Sequence, residues 1–484
     1  MDLLLADLAE IAALTGGIWW NAGGCPPLTG FSVRVKSLAR RQTGNIYALQ
    51  NRTDGKPEPV QPPDRLIEAF AAGAVAAIVP SHGDYAGMTQ PLLMVDNVRT
   101  ALHSLAVAGR VRYTGRCALI TGSAGKTGFK CLLGHVLARQ FRTRYMRNSL
   151  NSTGPIRASL ASLRTGDERL VLEVAVAGPD RGWQRSQLIR PHLCVITEVE
   201  AEHLNLHKSL DALIEAKAAV VDGLEPGGIC LLNGDSRTYA AVRRAVLGRR
   251  AVPLAVFGHG AECDGRVLAA EFDGAGWQTR SIVDGYEVSF RVGLIGEHVP
   301  AAVTGVLLAA ARLGADLEQA AAAVADYRPI GTQGTLRTLR LSGGGTVRVL
   351  DYSERATLLS YRSAMATLRR FAPQGGRRIG VIGELRNLGD HLDPVSREVA
   401  ALVGAAGFDR IYLVGANARA LRDHLPDPAK VVTWFPRYED TDADFAQRVA
   451  DMAATLRADL TDGDLLFVKG EIEELGEALR AGAP

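Results

Sequence analysis

The 484-residue chain is predicted to be an α/β protein of three units. A first α/β unit precedes a central parallel sheet carrying a phosphate-binding loop, and a doubly wound, Rossmann-like unit closes the chain. Three observations carry this prediction. The stretch at 117–139, CALITGSAGKTGFKCLLGHVLAR, reads as strand, glycine turn and helix in succession. After it, apolar strand segments alternate with helical ones, as in sheets whose strands run parallel. From about residue 328 a further set of short strands repeats that alternation.

Each part of the 117–139 stretch has a physical reason. Cys117 to Thr121 is a short apolar run of strand type. Gly122 and Gly125 bracket Ser123 and Ala124 in a tight turn, and Lys126 and Thr127 add a cation and a hydroxyl. Phe129, Leu132, Leu133, Val136 and Leu137 fall at i, i+3, i+4, i+7 and i+8, one face of an amphipathic helix. Backbone N–H groups at that helix's N-terminus point at phosphate oxygens, and the helix dipole favours the same anion. Lys126 can reach the terminal phosphates, and the Thr127 hydroxyl can ligate the accompanying magnesium. Ile120 stands where the full Gly-x-x-x-x-Gly-Lys-Thr pattern has its first glycine, so TGSAGKT is the shortened form. A nucleoside triphosphate is the expected ligand; a helix that uses glycine only for its turn is the plainer alternative.

Composition narrows the function classes. Apolar residues make up 47% and charged residues 22%, ordinary for a globular protein with a large core. The net charge of +3 is spread along the chain with no basic stripe interleaved with aromatics, which argues against nucleic acid as a partner. No run approaches the roughly 18 apolar residues of a membrane span. The start, MDLLLADLAEIAALTG, has acids among its leucines and reads as an amphipathic helix, not a signal peptide. Cys25, Cys117, Cys131, Cys194, Cys230 and Cys263 show no zinc-type spacing. Free buried thiols, and with them a reducing, cytoplasmic location, are expected.

In order, residues 1–112 form the first unit. FSVRVKSL, GNIYALQ, AAIVP and LLMV read as strands, LIEAFAAGA and NVRTALHSLAVAGR as helices, and 51–63 as a loop. Residues 113–327 form the central unit, with later strands LVLEV, LCVIT and ICLLN and an antiparallel extension at 263–293. Residues 328–484 form the third unit, where VRVLDY, RIGVIG, RIYLVG, KVVTW and DLLFVKG alternate with helices.

Beyond the phosphate loop, a few residues could carry chemistry. Glu173 closes the apolar strand LVLEV, where a carboxylate beside the loop is well placed for magnesium; an acid at a strand end in solvent is the simpler option. Glu202, His203 and His207 follow the strand LCVIT, and Lys217 sits on the apolar helix DALIEAKAAVV, where a lysine would ordinarily snorkel to water. His298 opens a helix, either as a cap or as a ligand contact. Asp351 ends the strand VRVLDY and could bind a ribose hydroxyl or a substrate amine, or only close a turn. Lys469 ends the last strand, facing an anion or solvent.

Taken in order, these motifs resemble the Mur ligase family, ATP-dependent enzymes that join a carboxylate to an amine. The resemblance covers nearly the whole chain, and within the family it is strongest to the member that adds D-Ala-D-Ala to a peptidoglycan precursor. TGSAGKT resembles the family's TGSxGKT, NSLNSTGP at 148–155 its Asn-Asn-x-x-Gly-x-Pro, and LVLEVAVAGPDRG the strand bearing a magnesium-binding Glu, here Glu173. TEVEAEHLNLH resembles TN-x-x-x-DHLD-x-H and makes His203 a metal ligand. EAKAA resembles a segment whose lysine is carbamylated, here Lys217. GELRNLGD resembles the third domain's GDM-x-ELG.

The resemblance implies ATP and magnesium as cofactors. It makes Lys126, His203 and Lys217 the catalytic residues, and Thr127, Glu173, His203 and carbamylated Lys217 the metal ligands. It also assigns Gly122 to Thr127, His298 and Asp351 to the nucleotide. ATP would phosphorylate a substrate carboxylate, and an amine would attack the acyl phosphate to form the amide. Charge neutralisation by magnesium and Lys126 meets the main demand of such a step.

Departures from the family pattern accompany these matches. The adenine-holding His-Asn-x-x-Asn reads His298, Val299 and Ala302, and the third unit's Gly-Arg pair is Gly334 and Thr335. DYSERA keeps Asp351 and Tyr352 but loses Asn and Pro, and Glu471 replaces a serine after Lys469 and Gly470. The uridine diphosphate segment is blurred to KSLARRQTGN. The expectation is therefore an ATP-dependent carboxylate–amine ligase with a non-standard substrate in a specialised pathway. The alternatives are the peptidoglycan ligase on UDP-MurNAc-peptide, and a non-catalytic scaffold on the same fold. Small-molecule or peptide acids and amines are the expected partners, with no membrane, and the protein is expected to be a monomer.

Overall fold

The computed structural model describes residues 2–38, 45–49, 64–147, 151–175, 181–200, 209–329, 334–385, 392–436 and 444–481. Among these residues the chain builds three sheets, in sequence order, each wrapped by helices.

The first sheet has a parallel core of Gly30–Ser32, Asn45–Ala48, Ala74–Pro80 and Leu92–Val95, with Ile18–Trp20 antiparallel to the last of these. FSVRVKSL departs from the expected strand. Only its first residues pair, and Val35–Leu38 turns into a short helix. Helix Val98–Arg112 closes the unit as expected, its Asn97 side chain capping Thr100 N–H. Arg110 on this helix is buried and donates to the carbonyls of Ile189 and Arg190 in the central unit, fixing the two units together.

The central sheet runs Thr143–Tyr145, Arg169–Glu173, Arg116–Thr121, Leu193–Ile196, Ile229–Asn233, Leu254–Gly258 and Gly265–Phe272 in parallel. The expected antiparallel extension follows as Trp277–Val283 and Tyr286–Val292. Near-continuous apolar strands fit a sheet covered on both faces. The phosphate-loop strand lies between Arg169–Glu173 and Leu193–Ile196, where the connections diverge to opposite sides and leave a crevice at the carboxyl edge. Helix Lys126–Leu137 covers one face, burying Phe129, Leu132, Leu133, Val136 and Leu137 against Ala118, Ile120 and Phe257. Each such side chain contributes about 1.5–3 kcal/mol on burial, so the loop is anchored at both ends.

In the third sheet the strand Leu465–Glu471 is inserted between Thr346–Tyr352 and Arg378–Gly383, followed outward by Arg410–Val414 and Val431–Phe435. This is the doubly wound arrangement, with Thr335–Arg340 added antiparallel at one edge. Among the described residues, no helix is long and apolar enough to cross a membrane. All six cysteines are free, and five are buried.

Candidate active site

The loop after Thr121 is shaped by its two glycines and braced from the neighbouring strand. Gly122 has φ 147° and Gly125 φ 80°, both in the region that disfavours other residues. A Cβ on Gly122 would lie 2.1 Å from Thr197 Oγ1, so the loop also needs glycine for space. Thr197 Oγ1 bonds the carbonyls of Thr121 at 3.1 Å and Ala124 at 2.6 Å. Ser123 N–H donates to Glu198 O, and Ala124 bridges Glu198 in antiparallel fashion. Gly125 caps helix Lys126–Leu137 without a side-chain bond, so the helix start presents backbone N–H groups to an anion.

Lys126 folds back over this loop. It is only 8% exposed, and its Nζ donates to Gly122 O at 2.8 Å and Ser123 O at 2.6 Å. Lys217, on helix Leu210–Ala218, is 4% exposed and donates to the same Gly122 carbonyl at 2.7 Å. The helix that was expected to let its lysine snorkel to water instead directs it inward, onto the phosphate loop.

Glu173 is the hub of the polar cluster, 2% exposed at the end of its strand. Oε2 accepts from Thr127 Oγ1 at 2.9 Å and from Lys130 Nζ at 3.0 Å, and Oε1 accepts from Asn151 Nδ2 at 2.7 Å. Burial pushes the Glu173 carboxyl up. The Lys130 ammonium, the Asn151 amide and the Lys126 charge more than offset this and hold it below the usual carboxylate range. The carboxylate is therefore ionised and beside a hydroxyl oxygen, a hard pair that suits magnesium. Magnesium usually takes one or two carboxylates and completes its shell with water and substrate phosphates. Among the described residues no group of three or more His, Cys, Asp or Glu converges.

The remaining candidates are dispersed. His203, with Glu202 and His207, lies outside the described residues. His298 caps helix Val299–Arg312, and its Nδ1 is 3.1 Å from Ser363 Oγ of the third unit. It therefore faces the cleft between those two units. Asp351 is 1% exposed and accepts from Ser353 N–H at 3.0 Å, with Gly476 packed against its carboxylate. Lys469 is buried as well, its ammonium 4.9 Å from the Tyr361 ring centre, and does not face solvent.

Sequence reasoning missed Lys130, Asn151, Thr197 and Glu198. Lys130 had a signal, since it follows Lys126 by four residues and shares its helix face. Asn151 had only its place in NSLNSTGP. Glu198 is held by Asn233 Nδ2 at 3.2 Å and by Ser236. Burial, reinforced by the nearby Glu200 charge and opposed by the Ser236 bond, raises its carboxyl above the usual range.

Comparison with known proteins agrees with this geometry. A family model described as the Mur ligase middle domain matches residues 120–310. The UDP-N-acetylmuramoyl-tripeptide–D-alanyl-D-alanine ligase of Rickettsia prowazekii is 24% identical over 385 residues, covering 79% of this chain and 82% of that one. A crystal structure of MurF from Acinetobacter baumannii superposes with a TM-score of 0.77 at 19% identity, covering 99% of both chains. MurF from Thermotoga maritima, solved in complex with ADP, gives 0.71 at 18% identity, covering 93% of this chain and 97% of that one. Residues 120–310 thus match a Mur ligase middle domain, and the chain as a whole has the three-domain Mur ligase fold.

Proposed function

We propose that this protein is an ATP-dependent ligase that joins a carboxylate to an amine. The observation that carries this reading is the convergence of Lys126, Thr127, Glu173 and Lys217 on one glycine loop at the carboxyl edge of a parallel sheet. Thr127 and Glu173 would hold magnesium, which when bound supplies charge neutralisation on the phosphates. Lys126 exchanges the carbonyls of Gly122 and Ser123 for phosphate oxygens. The helix N-terminus binds the same anion, and Lys217, carbamylated, adds an anionic oxygen on the opposite side of the loop. The third unit, docked over His298, excludes water that would otherwise hydrolyse an activated carboxylate.

For the substrate, the relatives favour the reading that the sequence placed second. Their names specify UDP-N-acetylmuramoyl-tripeptide as acid and D-alanyl-D-alanine as amine, over 72–85% of this chain. We take that pair as the proposed substrates in place of an unspecified, specialised one. The departures at Val299 and Ala302 concern how the adenine is held, whereas the blurred uridine diphosphate segment KSLARRQTGN bears on the acid, which direct assay decides.

The test is ADP release from the purified protein with ATP, magnesium and both substrates, with each omitted in turn. Turnover that needs both, and is lost in Lys126→Ala, supports the assignment. Turnover with another acid and amine but not this pair would restore the non-standard substrate. No ADP with any pair, together with no ATP binding by calorimetry, would leave a scaffold on the ligase fold.

A further inference from the structure

Helix Leu358–Leu368 of the third unit lies against the central unit, and one of its arginines reaches the phosphate loop indirectly. Arg362 grips two carboxylates. Its Nη1 lies 3.3 Å from both oxygens of Glu200 in the central unit, and its Nη2 lies 2.6 Å from Glu398 Oε2 in its own unit. Glu200 is in turn tied to the loop by a pair of bonds to one hydroxyl. Its N–H donates to Ser123 Oγ at 3.2 Å, and Ser123 Oγ donates to its carbonyl at 2.9 Å.

A second set of contacts orients the same helix without touching the loop. Arg370 pairs with Glu297 and lies over the rings of Trp277 at 4.9 Å and Phe272 at 5.8 Å. Phe371 meets Phe272 edge-on at 5.7 Å. These contacts hold the two units together, whereas Arg362 connects that docking to Ser123.

We propose that Arg362 is a positioning residue: docking of the third unit fixes the phosphate loop through Arg362, Glu200 and Ser123, with Glu398 keeping the guanidinium aimed. The planar fork of arginine suits this bridging of two carboxylates, which a single ammonium would match less well. Without Arg362, Glu200 would stand uncompensated two residues from Glu198, also an acid in a confined site. Their repulsion would push the 198–200 segment away from Ser123 and Ala124 and loosen the turn that the phosphates enter. Full undocking of the third unit would break the same Arg362–Glu200 link, which loss of Arg370 alone leaves in place, so a loop competent for nucleotide coincides with a closed cleft. The effect on the loop stands on these contacts alone; its consequence for turnover rests on the ligase reading.

Amide hydrogen exchange of residues 121–127 in the full chain, without nucleotide, tests this. Arg362→Ala is expected to speed exchange there about ten-fold or more, Arg362→Lys by less, and Arg370→Ala by no more than about two-fold. In a Glu200→Gln background, where the charge that Arg362 answers is gone, Arg362→Ala should add little further exchange. Unchanged loop exchange in Arg362→Ala would overturn the proposal. So would an equal rise in Arg370→Ala, since the loop would then report docking in general. With substrates present, Arg362→Ala is expected to lower kcat/KM for ATP by at least about ten-fold while Arg362→Lys recovers part of it. Because exchange needs no activity, a silent protein with the expected exchange pattern would fail the ligase reading and leave this proposal standing.

Discussion

Lys126 and Lys217, on different helices, both donate to the carbonyl oxygen of Gly122, at 2.8 and 2.7 Å. Two buried ammonium groups so close together repel each other. That repulsion is relieved when an incoming phosphate draws Lys126 off the carbonyl, or when Lys217 takes up carbon dioxide and becomes an anion. We therefore expect an anion on the Lys126 side and propose a carbamate, formed from the free amine, on the Lys217 side.

Lys217→Arg keeps the cation and the reach but cannot form the carbamate. ADP release is expected to fall about 10²–10³-fold, the usual loss when an electrostatic group is removed from a closed site. Carbon-13 spectra of the protein in labelled bicarbonate should show a carbamate signal that Lys217→Arg lacks. A signal of equal strength in both proteins would contradict the assignment.

The Lys130–Glu173 pair makes a prediction about stability. Both side chains are almost fully buried, so Lys130→Met leaves the carboxylate its Thr127 and Asn151 hydrogen bonds but not its ion-pair partner, and should cost about 3 kcal/mol. Lys130→Met with Glu173→Leu should lose much less, because neither charge remains. Urea unfolding followed by tryptophan fluorescence measures both.

The same carboxylate gives a pH dependence. Its folded pKa lies below the ordinary value, so the stability it contributes is complete above about pH 4.3 and is lost as pH falls through the folded value. Glu173→Gln should flatten the stability curve below about pH 4.3. Equal acid slopes in the two proteins would count against an ionised Glu173.

His298 has a consequence of the same sign, over a higher pH range. Its ring keeps an exposed edge, yet protein of two units surrounds it, and that desolvation, opposed by Glu297, holds it below the usual imidazole range. The unfolded chain then binds the proton more readily. Stability is full above about pH 6.5 and declines as pH falls below it toward the folded value. Docking of the third unit, measured by small-angle scattering, should weaken over that interval in the native protein and stay constant in His298→Gln.

Gly122→Ala would place a methyl group against Thr197 Oγ1 at a φ few other residues adopt. Backbone strain of about 1–3 kcal/mol is expected, with the larger loss in nucleotide affinity, since the loop must open to make room. Calorimetric titration with ATP and magnesium should show binding weakened by at least about ten-fold, the factor that 1.4 kcal/mol represents.

Much of this was legible in the sequence. The strand–glycine–helix order of 117–139 and the alternating segments after it are local patterns, and they gave the fold and the loop. Glu173 was legible because an acid interrupts an apolar strand. Lys130, Thr197 and Arg362 were not, because each matters through a partner far along the chain. Lys217 shows the limit from the other side: periodicity alone would have sent it to water, and only the sheet's tertiary arrangement turns it onto Gly122. FSVRVKSL, with its strand-like alternation, became strand and helix: pairing ends at Ser32 and Val35–Leu38 is helical. The substrate was the least legible, since specificity lies in side chains spread over separate units.

The most direct measurement of the central claim is the fate of the substrate's carboxylate oxygens. UDP-N-acetylmuramoyl-tripeptide labelled with oxygen-18 in its terminal carboxylate should, with ATP and D-alanyl-D-alanine, yield inorganic phosphate carrying one labelled oxygen, because the carboxylate itself is phosphorylated before the amine attacks. Product formation with unlabelled phosphate would mean that water, not the carboxylate, takes the phosphoryl group, and would contradict the account.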